Sequence, residues 1–83
     1  MDSFINNQTI VDLNSAISLS NRFRFQRELF DSNRDRMRKA ISDFNSFNSM
    51  EVARRYIVEN FDWDFNAKTV IDFMKLLQQK YLS

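Results

Sequence analysis

The 83 residues contain neither glycine nor proline. Without glycine, no residue enters left-handed backbone conformations free of steric cost, and without proline there is no preset helix stop. Every chain reversal therefore falls to asparagine, aspartate and serine, whose short polar side chains bond their own main chain and tolerate unusual angles. The sequence holds nine Asn, nine Ser and eight Asp. Read as punctuation, they cut it into five helical segments.

Helix-start chemistry coincides with these cuts. Thr9 with Asp12 and Ser32 with Asp35 have capping-box spacing, in which an N-cap oxygen accepts a free N–H and an acid three residues on reaches back. Asn48 with Glu51 is a variant of the same device. Phe47 and Val52 bracket that cap as a hydrophobic staple does, and Phe65 and Val70 repeat the arrangement around Asn66. The shared Phe-Asn-x-x-x-Val pattern stops at the helix starts, so it reads as repeated capping and not as an internal repeat.

Apolar spacing supports the segments. Ile10, Leu13, Ala16 and Ile17 share one helical face; so do Met37, Ala40, Ile41 and Phe44, and again Val52, Ala53, Tyr56 and Ile57. The last segment differs, because Phe73 and Leu76 widen its stripe of Ala67, Val70, Ile71, Met74, Leu77 and Tyr81 past half the circumference. A helix that apolar belongs at the centre. The expected fold is all-α, a compact bundle of four or five short helices packed around the C-terminal helix, forming a single domain over residues 1–83.

A chain this short buries only about 60 to 65% of the surface its unfolded form exposes. Nine Phe, two Tyr and one Trp compensate, each large side chain contributing roughly 1.5 to 3 kcal/mol when fully buried. The ambiguous stretch is LSNRFRFQRELF, residues 19–30, whose centre alternates arginine with phenylalanine. That alternation fails after five residues, too soon for a convincing strand. On a helix, Leu19, Phe23 and Phe30 share a face, with Phe25 and Leu29 on a shoulder, and Arg24–Glu28 and Arg27–Asp31 take ion-pair spacing. The expected core is accordingly Phe23, Phe30, Ile41, Phe44, Val52, Tyr56, Ile57, Trp63, Val70, Met74 and Leu77.

Catalysis finds little to use. The sequence has no Cys and no His, which removes disulfides, thiolate or imidazole zinc sites, thiol nucleophiles and the commonest general base. Without glycine, the familiar phosphate-cradling loops are impossible. Asp62-Trp63-Asp64 has the acids for a hard cation, but a core-plugging Trp between two chain-bending acids explains it better. The expectation is no enzyme, no metal and no cofactor. No apolar run approaches a membrane span, and MDSFINNQTIVDL lacks the basic-then-apolar order of a secretory leader. A cytoplasmic protein, or a domain of a larger chain, is expected.

Two binding readings remain. Net charge is only +1, but residues 21–40 carry +4. A nucleic-acid surface would use Arg22, Arg24, Arg27, Arg34, Arg36, Arg38 and Lys39, with Phe25 stacking on bases. Glu28, Asp31 and Asp35 dilute that charge, and Arg34, Arg36 and Arg38 flank the apolar face of their helix, where long stems cover core edges. The preferred reading is a protein partner or a homo-oligomer, met by apolar surface that five short helices cannot hide. Phe25, Leu29, Phe73 and Leu76 are the expected patch.

One resemblance bears on this. The run AISLSNRFRFQRELFD (16–31), Phe44-Asn45, Ser49-Met50-Glu51-Val52-Ala53-x-x-Tyr56, Phe61-x-Trp63-Asp64 and Val70-x-x-Phe73-x-x-Leu76-Leu77 together resemble a C-terminal all-helical module of bacterial proteins of unknown function, over residues 9–82. Members of that group often carry Gly at the position of Ser18, and Gly-Asp at Asp31-Ser32. These departures alter turns and not chemistry. The resemblance implies no activity, cofactor or catalytic residue, and it implies that the chain is one domain of a larger protein.

Overall fold

The structure, a computed structural model, describes residues 12–82. Among them are five helices and no strand: α1 (Leu13–Ala16), α2 (Leu19–Leu29), α3 (Arg34–Ser46), α4 (Met50–Asn60) and α5 (Lys68–Leu82). The all-α bundle of short helices is as expected, and α5 packs against α1, α2 and α4.

Polar residues start the helices, but often one position from where spacing put them. The Asp12 side chain caps α1 by accepting the Asn14 N–H at 2.9 Å; Thr9 and Ile10 lie outside the described residues. Ser18 caps α2, accepting from Asn21 at 3.3 Å. Asn33, not Ser32, caps α3 with a 3.0 Å bond to Arg36 N–H, and Ser49, not Asn48, caps α4 with a 3.1 Å bond to Val52 N–H. Moving that cap dissolves the expected staple, so Phe47 packs instead on Phe44 and Tyr56. Before α5, Asp64 organises the turn by accepting the Asn66 N–H at 2.9 Å, and the helix begins at Lys68, two residues after Asn66.

Ser32 was unavailable as a cap because the α2–α3 turn uses it differently. Asp31 and Ser32 both have positive φ, 54° and 60°. Their turn lets the Ser32 N–H return to the Gln26 carbonyl at 2.9 Å, while Asn33 N–H bonds the Phe30 carbonyl at 2.8 Å. Two consecutive non-glycine residues thus hold a conformation that costs each of them something on the order of 1 kcal/mol.

Phe73 stands at the middle of the core. The rings of Phe25, Phe44, Trp63 and Phe30 meet it edge-on, with centroids 5.3, 5.5, 5.6 and 6.4 Å away, the arrangement aromatic quadrupoles favour. Leu13, Ile41, Ile57 and Leu77 are the other large side chains that are fully buried, with Phe25, Phe30, Phe44 and Phe73. Of the expected core, Phe30, Ile41, Phe44, Ile57, Val70, Met74 and Leu77 are buried. Tyr56 and Trp63 are half-buried against it, each with its polar tip satisfied: Tyr56 OH donates to Asp43 at 2.7 Å and Trp63 Nε1 to the Leu29 carbonyl at 3.0 Å.

Two core expectations are corrected. Val52 is 44% exposed, because Ala53 and Ile57 supply the buried face of α4. Phe23 is 61% exposed, and Phe25 and Leu29 take the inward face of α2. Turning Phe23 inward would bring Arg27, four residues on, toward the core as well. Phe30 needs no such rotation, since it is the C-cap, with φ −128°, and leaves the helical period to enter the core. On α5 the buried face is Val70, Phe73, Met74 and Leu77, leaving Ile71 39% exposed.

Candidate interaction surface

The orientation of α2 decides which residues can meet a partner. Phe25 and Phe73, at 0% exposure, and Leu29, at 6%, are core residues, and Leu76 is half-buried against that core. The expected apolar patch is therefore not a surface. Its place is taken by Leu19 and Phe23, one helical turn apart on the outward side of α2 and 68% and 61% exposed. Arg27, exposed, continues the same side one turn on. Val58 on α4 is comparably exposed, at 62%.

The basic segment divides into two groups. Arg24 pairs with Asp72 at 3.0 Å, Arg27 with Glu28 at 3.2 Å, Arg36 with Asp31 at 3.1 Å and Lys39 with Asp43 at 3.3 Å. The expected intrahelical partners, Glu28 for Arg24 and Asp31 for Arg27, are replaced, because α5 brings Asp72 beside Arg24 and the turn brings Asp31 to Arg36. Two of these guanidinium groups also sit over rings, Arg24 over Phe25 at 5.2 Å and Arg36 over Phe61 at 5.0 Å. The second group is Arg22, Arg34 and Arg38, which line one groove between α2 and α3. Arg22 is held in place there by Asn14, its guanidinium donating to the Asn14 carbonyl at 2.9 Å and to Oδ1 at 3.3 Å.

The carboxylates on the α5 side are tuned by their partners. Thr69 Oγ1 donates to Glu28 and holds its carboxyl below the usual range, and the Arg24 hydrogen bond does the same for Asp72. Asp43 is lowered chiefly by the Tyr56 hydroxyl, and Asp12 chiefly by the Asn14 N–H. Burial first, and then the bond to Asp43, push Tyr56 up to about 12, and burial pushes Tyr81 up to about 12. Both hydroxyls thus remain protonated near neutral pH and serve as donors, Tyr81 to the Phe44 carbonyl. These bonds tie α2 to α5, α3 to α4 and α3 to α5.

Asp62-Trp63-Asp64 likewise reads as structure, with Trp63 stacked on Phe61 at 4.9 Å and edge-on to Phe30 and Phe73. Among the described residues, no group of three or more acids could hold a metal ion, and no helix is long and apolar enough to cross a membrane. Leu19 and Phe23 were missed as surface because they share a face with Phe30, whose burial looked like theirs. The available signal was Arg27, which extends that face with a charge.

No curated protein matches this sequence. No solved structure matches it either. The model of one family, described as a domain of unknown function (DUF8457), matches residues 14–82, from the second residue of α1 to the last of α5. The chain belongs to that family of domains of unknown function.

Proposed function

We propose that this domain is a non-catalytic protein-interaction module that docks a protein partner, or a second copy of itself, through the outward face of α2. The exposure of Leu19 and Phe23 carries this reading. Two large apolar side chains one turn apart, on a helix whose other face is fully used by the core, form the kind of anchor pair that helix-mediated contacts employ. Leaving them in water forgoes roughly 1.5 to 3 kcal/mol each relative to burial. The absence of His and Cys from the sequence supports the non-catalytic part, and a cytoplasmic setting belongs to the same proposal.

Nucleic-acid binding draws less support. Arg24, Arg27, Arg36 and Lys39 are matched by acids of the same chain, so a phosphate track would rest on Arg22, Arg34 and Arg38. The ring available for stacking is Phe23, since Phe25 is buried.

A photo-cross-linking amino acid placed at position 23, in the cell of origin, tests the docking face, with position 58 as an equally exposed control. Adducts concentrated at position 23, together with a mass or partner set that changes in an L19S/F23S chain, are expected. Equal labelling at both positions, or an unchanged partner set and native mass in the double variant, would overturn the proposal.

A further inference from the structure

Arg22 and Gln26 on α2, and Arg34 and Arg38 on α3, are two i, i+4 pairs lining one groove of about 270 Å3. Met37 and Ile41, 2% and 1% exposed, lie beneath it, and Asn14 contributes to its wall. Among the described residues, no acid lines this groove. Its surroundings make that notable, because every other base between residues 22 and 39 has an acidic partner within 3.3 Å.

We propose that this groove is a binding site for a phosphate group. Three guanidinium groups around one concavity repel one another, and an anion seated among them relieves that repulsion. Each guanidinium offers a planar fork of N–H donors suited to bidentate contact with phosphate oxygens, and the Gln26 amide adds a neutral donor. Arg22 is already oriented by its two bonds to Asn14, so part of the ordering cost is met before the ligand arrives. A phosphate group matches the site better than a carboxylate does, because its tetrahedral oxygens can meet more than one of the three arginines, and a monoester brings about −1.5 to −2 charges. The inference goes beyond the docking reading and does not rest on it, since Leu19 and Phe23 take no part.

The test is a titration of the full chain with inorganic phosphate at constant ionic strength, replacing chloride, followed by backbone and arginine side-chain NMR. Saturable shifts at Asn14, Arg22, Gln26, Arg34 and Arg38 are expected. R34Q and R38Q should each weaken phosphate affinity by about tenfold or more, the cost of one lost charge-assisted bond, with far-ultraviolet circular dichroism unchanged. R54Q/R55Q on α4 should leave affinity intact, and so should L19S/F23S, which separates failure here from failure of the docking face. Competition by a short single-stranded oligonucleotide would identify the group as a phosphodiester; phosphate binding without competition would identify a free or monoester phosphate. Shifts that never saturate, that spread equally to Arg54, Arg55 and Lys75, or that survive R34Q/R38Q would overturn the site.

Discussion

The Phe25 ring of α2 meets the Phe73 ring of α5 edge-on, with centroids 5.3 Å apart and planes at 85°. Both side chains are completely buried, so the contact joins the two helices at the centre of the molecule. Truncating either ring should open a cavity among the surrounding aromatics. Phe25→Ala and Phe73→Ala should each cost roughly 3 to 5 kcal/mol, a large share of the margin of a small domain. Urea unfolding followed by circular dichroism measures this, and an unchanged midpoint for Phe25→Ala would contradict its place in the core.

Leu19→Ser and Phe23→Ser should behave in the opposite way. These side chains are mostly in water, and surface changes of that kind usually move stability by no more than about 0.5 kcal/mol. The same urea series compares them directly with Phe25→Ala, two residues away on the same helix. A loss of several kcal/mol at position 23 would show that its ring is covered.

Glycine should help at one turn and not at another. Ser32, with φ 60°, occupies the left-handed region at a steric cost that glycine avoids, so Ser32→Gly should stabilise the fold by up to about 1 kcal/mol. Ser18 has φ −65° and caps α2 with its hydroxyl. Ser18→Gly should therefore lose a few tenths of a kcal/mol. Thermal melts of the two variants should move in opposite directions.

The Arg24–Asp72 bridge ties α2 to α5 with both side chains about a quarter exposed. That exposure screens the pair, so a double-mutant cycle with Arg24→Gln and Asp72→Asn should return a coupling of about 0.5 to 1 kcal/mol. A coupling near zero would mean that the bridge positions the helices without stabilising them.

Stability should form a plateau in pH with two different edges. Asp12, Glu28, Asp43 and Asp72 all titrate below their ordinary range. Their contribution is present above the unfolded carboxylate pKa of about 4 and is lost as pH falls through the lower folded values. Tyr56 and Tyr81, raised to about 12, contribute stability that is present below the unfolded pKa of about 10 and lost as pH rises from there through 12. With no His in the chain, the interval from about pH 6 to 9 should be flat. Unfolding midpoints across pH 2 to 11 check the acid edge and the onset of the alkaline one, and Thr69→Val should move the Glu28 titration up toward its usual value.

The sequence by itself determined that the described chain is a set of short helices. With no glycine or proline, its polar punctuation and 3.6-residue apolar spacing admit little else, and those signals are local. Helix caps were legible only to within a residue, because Ser32-Asn33 and Asn48-Ser49 each offer two competent side chains. Which one caps depends on the turn that delivers the chain. The facing of α2 was legible only faintly. LSNRFRFQRELF presents two apolar faces, Leu19 with Phe23 and Phe25 with Leu29, and the one local hint is Arg27, which extends the first of them with a charge. The choice came from α5, where Phe73 accepts the Phe25 ring and Asp72 and Thr69 receive Arg24 and Glu28. Tertiary structure thus decided which phenylalanine became core and which became surface, and the candidate interaction site followed from that decision.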